Sequence, residues 1–494
     1  MLAPSDKPGL VTLLEEEGPR EECAVFGIYG GSEASAHTAL GLHALQHRGQ
    51  EATGIVSFDG KRFNAQRGVG EVGAVLNNEE VIKRLTGYAA IGHNRYATTG
   101  EGAVHNIQPL FAEFAFGGFA IAHNGNLTNA RALRRRLVEG GSLFQSTTDT
   151  EVIVHLIARS VRSTLVDRLI DALHHVEGAY SLVALSQKKL IGVRDPLGIR
   201  PLVLGKLGDA HILASETCAF DIIGAEFVRD VAPGEMLVID ESGVQSLFPF
   251  AKQPSRFCVF EYIYFARPDS VMEGRGVYGA RKRIGEVLAA ESHPENGADV
   301  VVPVPDSGVP AAIGYAAASG VPFEYGIIRN HYVGRTFIEP TAQIRHLGVK
   351  LKHNPNRSIV AGKRIILVDD SIVRGTTSRK IVEMMRSAGA KEIHMRISSP
   401  PTANPCYYGI DTPERDELIA SRLDPAGIAK EIGVDSLAFI SIDGLYEAMG
   451  KGHRDNAAPA FCDACFTGDY PVRLTDRDDG NAGKHDRKSI QQVD

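Results

Sequence analysis

Residues 23–250 alternate short apolar runs with glycine turns, whereas later segments alternate apolar runs with helical patterns. AVFGIY at 24–29, TGIVSF at 53–58 and SLVAL at 181–185 read as strands. SEASAHTALGLHALQ at 32–46 and DTEVIVHLIARSV at 149–161 read as helices, so this half predicts sheets covered by helices. FPFAKQPSRF at 248–257 is a plausible crossing between domains. Beyond it come an apolar run at 299–305, a helix at 310–318, a strand at 363–370, a helix at 376–389 and a strand at 392–398. Strand–helix–strand repeats predict an α/β domain with a parallel sheet. The expected divisions are a leader at 1–22, domains at 23–250 and 258–455, and a C-terminal segment at 456–494. Its polar end, from Arg473 onward, is expected to be mobile.

Composition narrows the function classes. The chain has 494 residues, enough for two cores, with 43% hydrophobic and 23% charged residues. A net charge of −7 gives no general attraction to nucleic acid or an anionic membrane, so a phosphate ligand needs a local site. No membrane-length apolar run occurs, and the acidic N-terminus lacks the basic start of a secretory signal, which predicts a cytoplasmic location. In so long a chain without an export signal, the 6 cysteines argue for metal binding, catalysis or burial over disulfides.

RIILVDDSIVRGTTS at 364–378 ends a buried strand in Asp369 and Asp370, passes Gly375 and enters a helix. Backbone donors at a helix start suit a phosphate, and paired carboxylates suit Mg²⁺ or ribose hydroxyls. The motif resembles the phosphoribosyl pyrophosphate signature of the phosphoribosyltransferases. That resemblance gives Asp369 and Asp370 to the ribose and its metal. It gives the turn with Ser371, Arg374, Gly375, Thr376, Thr377 and Ser378 to the 5-phosphate. PVPDSGVPAA at 303–312 adds Ser307 and Gly308 as candidates for pyrophosphate or its metal. The segment 331–354 mixes His331, Arg335, Arg345, Lys350 and Lys352 with glycine, and reads as a flap supplying cations to a pyrophosphate leaving group.

Three polar, glycine-bearing strings follow Cys23: QHRGQEATGI at 46–55, IGHNRYATTG at 91–100 and IAHNGNLTN at 121–129. Arg48, Arg95 and Asp149 offer opposite charges for an amino acid zwitterion. Asn124 and Gly125 offer a side-chain amide and a backbone N–H to an oxyanion. His47, His93 and His123 read equally well as structural residues. If the chain is cut before Cys23, its free α-amine can act as the base for its own thiol.

With these strings, RDPLGIRPL at 194–202, ASETCAFD at 214–221 and EYIYFARPDS at 261–270, residues 23–470 resemble the amidophosphoribosyltransferases. The resemblance implies an N-terminal-nucleophile amidotransferase domain of stacked antiparallel sheets between helices, followed by a type I phosphoribosyltransferase domain. It implies that glutamine and phosphoribosyl pyrophosphate yield 5-phosphoribosylamine, glutamate and pyrophosphate, the first committed step of purine synthesis. Cys23 would be the nucleophile, Asn124 and Gly125 the oxyanion hole, and Arg95 and Asp149 the grip on glutamine, with ammonia passing to the second site away from solvent. Mg²⁺, inhibition by AMP and GMP and a homotetramer are implied too. Spacing alone leaves Cys258, Cys406, Cys462 and Cys465 open to zinc, a 4Fe–4S cluster or no metal. The resemblance favours one 4Fe–4S cluster per subunit, in the branch that also carries a propeptide. Cys218 is left as a buried apolar residue. Two rivals are an amidotransferase of another pathway, which would not need the motif at 364–378, and a purine-sensing regulator, which would not need Cys23.

Overall fold

The computed structural model describes residues 23–76, 78–95, 104–330 and 353–478. The leader at 1–22 and the flap cations Arg335, Lys350 and Lys352 lie outside the described residues. Two compact units emerge. One holds 23–281, 404–412 and 449–478 of the described chain, the other 282–403 and 413–448. The first unit therefore reaches beyond the expected crossing at 248–257 and reclaims two later segments. Part of the reason is the pairing of Phe257–Cys258 with Phe461–Cys462 as parallel strands.

The strands of the first unit are β1 (Ala24–Tyr29), β2 (Ala52–Phe58), β3 (Phe63–Val69), β4 (Ala89–Arg95), β5 (Leu110–Phe114), β6 (Gly117–Leu127) and β7 (Gly178–Ser186). They continue as β8 (Leu190–Arg194), β9 (Val203–Leu207), β10 (Ala210–Ala214), β11 (Glu226–Asp230), β12 (Met236–Asp240) and β13 (Gly243–Leu247). Its helices include α1 (Ala34–Ala44), α2 (Ala130–Glu139), α3 (Thr150–Arg159), α4 (Leu165–Leu173) and α5 (Cys218–Ile223). One antiparallel sheet runs β11-β9-β10-β1-β4-β2-β3 and the other β13-β12-β8-β7-β6-β5.

Alternation along β1 explains the layers. Phe26 and Ile28 pack with Leu42 of α1 and Phe220 of α5, while Val25 faces Val183, Leu190 and Leu213 between the sheets. Ile153, Ile157 and Leu169 of α3 and α4 cover the far side of the second sheet. The order is helix, sheet, sheet, helix. The sheets approach closely at Gly27, where a Cβ would stand 2.6 Å from a Val183 methyl.

The second unit is built on four parallel strands in the order β14 (Val300–Pro303), β15 (Arg364–Asp369), β16 (Glu392–Ile397) and β17 (Ser436–Phe439). Helices α6 (Val309–Ser319), α7 (Thr376–Ser387) and α8 (Pro425–Ile432) belong to this unit. Val302, Leu367, Ile393, Met385 and Ile428 are among its buried core. β14 and β15 are apolar almost throughout, as a parallel sheet covered on both faces requires.

The first residues of the polar end are ordered differently from the expectation of mobility. Residues 473–478 are docked: Asp476 accepts from the N–H groups of Arg131 and Ala132 at 2.8 and 3.0 Å, capping the start of α2. A carboxylate there satisfies orphan donors and opposes the helix dipole.

Candidate functional site

Cys23 stands immediately before β1, half-buried and outside any disulfide. Ala24 pairs with Asn94 on β4, so Cys23 and Arg95 occupy neighbouring strand ends. The second sheet reaches this region through a cross-sheet bond: His93 Nε2 donates to the His123 carbonyl on β6 at 3.0 Å. Burial depresses the His93 pKa to about 3, with its bond to His123 opposing the shift. This ring is thus a neutral brace.

One residue beyond His123, the Asn124 side chain is buried, and neither its oxygen nor its nitrogen has a hydrogen-bond partner. An unbonded amide in a protein interior costs about 1–3 kcal/mol and calls for an explanation. Gly125 follows with φ +141°, and a Cβ there would sit 2.0 Å from the Ala179 carbonyl oxygen. Only glycine fits this position.

Asp149 lies at the start of α3. Its Oδ2 accepts from Leu127 N at 3.0 Å, and His123 Nδ1 lies 3.5 Å from Oδ1 and 3.2 Å from Thr150 Oγ1. Burial alone would raise the Asp149 pKa, but His123 and these backbone donors hold it below the usual carboxylate range. His123 thus places both Asn124, its chain neighbour, and the Asp149 carboxylate.

Arg48 corrects the sequence expectation. It is 1% exposed and bound to Glu216 Oε1 at 2.5 Å and Glu261 Oε1 at 2.6 Å. Arg200 shares Glu261, and His47 Nε2 lies 2.7 Å from Glu216. This guanidinium is engaged in a buried charge network, so the zwitterion grip expected of it does not stand. Cys218 is buried, as expected, and desolvation pushes its thiol pKa up.

In the second unit, Asp369 and Asp370 end β15. Asp370 N donates to Asp369 Oδ1 at 2.9 Å, and Ser371 Oγ to Asp370 Oδ1 at 2.5 Å. Burial, then the neighbouring Asp370 charge, drives the Asp369 pKa well up. Gly375, at φ +85°, turns the chain into α7. There the Thr376 hydroxyl is buried without a hydrogen-bond partner, and Ser378, two residues on, is buried too. Arg374 instead pairs with Glu417 at 2.7 Å. Gly308 anchors the neighbouring turn, because a Cβ would meet the Val368 carbonyl at 2.5 Å. Ser307 lies in that turn, half-buried.

Cys258, Cys406, Cys462 and Cys465 all belong to the first unit. Cys258 and Cys462 are in register, and Asn404 N donates to the Cys465 carbonyl at 3.0 Å. Burial raises the pKa of the Cys465 thiol, and the charges of the other three raise it further. Arg200 has the opposite influence on Cys258 and Cys406. Among the described residues, no three His, Cys, Asp or Glu side chains converge as one metal ion would require.

Residues 93–221 match the glutamine amidotransferase domain family, and residues 278–401 match the phosphoribosyl transferase domain family. The chain therefore joins an amidotransferase to a phosphoribosyltransferase. An amidophosphoribosyltransferase of Rhizobium etli is 57% identical over 97% of this chain and 97% of its own. One of Bacillus subtilis is 51% identical over 94% of this chain and 96% of its own. The solved structure of a B. subtilis glutamine phosphoribosylpyrophosphate amidotransferase, complexed with ADP and GMP, superposes with a TM-score of 0.86. It is 49% identical and covers 92% of this chain and 98% of its own. The chain belongs to the amidophosphoribosyltransferase family. It is an enzyme acting on glutamine and phosphoribosyl pyrophosphate in purine biosynthesis. Among the described residues, no helix is long and apolar enough to cross a membrane.

Proposed function

We propose that cleavage before Cys23 creates the working glutamine site, in which one residue is both nucleophile and bearer of the base. The α-amine takes the thiol proton, directly or through water, and sulfur attacks the glutamine side-chain amide. Ammonia leaves, and water later releases glutamate from the thioester. Arg95 and Asp149 hold the α-carboxylate and α-amine, while Asn124 and Gly125 face the developing oxyanion. The observation that carries this reading is the buried, unbonded Asn124 amide, one residue before a position open only to glycine. Substrate would satisfy it.

In the second unit, Asp369 and Asp370 would hold the ribose hydroxyls and Mg²⁺, with Ser307 contributing beside them. Ser371, Gly375, Thr376, Thr377 and Ser378 would take the 5-phosphate at the start of α7. Two adjacent buried carboxylates and an unbonded threonine hydroxyl fit a cation and a phosphate. Mg²⁺ would neutralise pyrophosphate charge. Ammonia then attacks C1 of the ribose as pyrophosphate departs, helped by the cations Arg335, Lys350 and Lys352. Arg374 can join the phosphate only by leaving Glu417.

The four cysteines would hold a 4Fe–4S cluster with a structural role. Supporting this are the strand register that brings Cys258 beside Cys462 and the mutual electrostatic influence of the four thiols. Purine nucleotides such as AMP and GMP would inhibit, and the assembled form would be a homotetramer in the cytoplasm.

The intact mass and N-terminal sequence of active protein test the central claim. Cys23→Ala should abolish glutamine-dependent synthesis and spare synthesis from external ammonia. Full glutamine-dependent activity in a chain that retains residues 1–22 would sink the amine as base.

A further inference from the structure

The residue after the oxyanion pair is bonded to a distant part of the chain. Asn126 Nδ2 donates to the Tyr407 carbonyl at 2.9 Å. Two residues further on, Gly409 lies against Gly125: a Cβ at Gly409 would stand 3.0 Å from the Gly125 Cα and 3.1 Å from its carbonyl carbon. Gly409 has φ +117°, in the region that favours glycine. On the opposite strand, the Ala179 carbonyl leaves no room for a side chain at Gly125. The peptide at Gly125 is thus confined between two backbones.

The confining loop is itself held. Tyr470 Oη donates to the Pro405 carbonyl at 2.6 Å, and Tyr408 Oη donates to the Val472 carbonyl at 2.8 Å. The Arg477 guanidinium lies 4.2 Å from the centre of the Tyr407 ring. Cys406 N donates to Thr412 Oγ1 at 2.7 Å. A loop fixed on one side by its own turn and the C-terminal segment, and bearing on Gly125 on the other, can transmit position.

We infer that residues 405–409 form a strut that sets the oxyanion peptide, so that Asn126 and Gly409 are positioning residues for the glutamine half-reaction. The inference rests on the reading of Asn124 and Gly125 as oxyanion donors. A donor stabilises a tetrahedral intermediate only if it is aimed before charge develops, and a misplacement of about 1 Å can cost about a hundredfold in rate. Neither residue touches glutamine in this scheme. Each acts by holding the Gly125 peptide.

Gly409→Ala and Asn126→Ala, made in the mature full-length protein beside Asn124→Ala, test the strut. Glutamine hydrolysis, synthesis from external ammonia and thermal melting are compared. Alkylation of Cys23 is measured with an electrophilic glutamine analogue and with iodoacetamide. The kcat for hydrolysis should fall about ten- to a hundredfold in the strut variants, with KM changed by less than about threefold. Ammonia-dependent synthesis and the iodoacetamide rate should hold, while alkylation by the analogue slows. Asn126→Ala adds no atoms, so it carries the test if Gly409→Ala folds poorly. Unchanged hydrolysis in Asn126→Ala and folded Gly409→Ala, with Asn124→Ala slowed, overturns the strut and leaves the oxyanion reading standing. Parallel loss of both activities and of melting temperature also overturns it, in favour of a general structural role. Unchanged hydrolysis in Asn124→Ala removes the oxyanion reading and the strut together.

Discussion

At Asn124 the first unit buries an amide that bonds to nothing, whereas at Asp369 and Asp370 the second unit buries two adjacent carboxylates. Both features are destabilising without substrate, but they differ in kind. The amide lacks hydrogen-bond partners, which a neutral or zwitterionic substrate can supply. The carboxylates set two acidic groups side by side, which a cation can bridge. The surroundings follow this division. Beside Asn124 a neutral His93 and backbone groups do the bracing, and Asp149 and Arg95 both act electrostatically on His93. At the end of β15 the Asp370 N–H bonds to Asp369 and the Ser371 hydroxyl to Asp370. One site is preorganised by packing, and the other concentrates acidic groups.

The sharpest way to break this contrast is Asp369→Asn. It should lower synthesis from phosphoribosyl pyrophosphate about a hundredfold, with either nitrogen source. It should leave the slow hydrolysis of glutamine intact. Removing one of two neighbouring buried charges should also raise the melting temperature of the ligand-free protein. A variant with normal synthesis would show that the acid pair is not the sugar site. One that lost glutamine hydrolysis as well would show that the two sites are not separable. Removal of Mg²⁺ with a chelator, followed by both assays, gives the same separation without mutation.

Gly308→Ala probes the packing behind the acid pair. The new methyl would meet the carbonyl oxygens of Val368 and Val304 at 2.5 and 2.9 Å, both parts of the backbone. Overpacking of this kind costs about 1–3 kcal/mol. Denaturant unfolding should register that loss, and KM for phosphoribosyl pyrophosphate should rise because the turn carrying Ser307 must shift. Unchanged stability would mean that the turn is softer than the close contact implies.

Legibility in the sequence followed the range of the interaction. AVFGIY at 24–29 coincides with β1, and the helix expected at 376–389 became Thr376–Ser387, because periodicity and glycine turns are local properties. Asp369–Ser378 could be read as a unit for the same reason: strand end, turn and helix start are contiguous. The pairing of Asn126 with Tyr407 spans 281 positions, and nothing in either local string announces it. Arg48 was misread on the same account. Its string looks like a substrate contact, but its partners Glu216 and Glu261 lie 168 and 213 positions away. Residues 473–478, at the start of the polar tail, are docked where mobility was expected, because hydropathy does not register a cap such as Asp476 on α2.

The smallest expected effect at neutral pH lies at the brace of the first site. His93 is fully buried, and its folded-state pKa of about 3 lies well below the ordinary histidine value. Arg95 and His123 disfavour its charge further, and Asp149 opposes them. The unfolded chain binds a proton near pH 6.5, while the folded chain resists until about pH 3. Below about pH 6.5 the unfolded state therefore holds more protons, and stability falls as pH falls. The contribution of this residue is about 1.4 kcal/mol per pH unit across that window and vanishes above it. His93→Gln retains a side-chain N–H for the His123 carbonyl but cannot titrate. Unfolding by urea at pH 7.5, 6.5, 5.5 and 4.5 should show the parent losing stability faster than the variant, with the two nearly parallel between pH 7.5 and 6.5. Equal slopes down to pH 4.5 would mean that water reaches His93 in the folded protein, and the contrast between a packed site and a charged one would lose its first half.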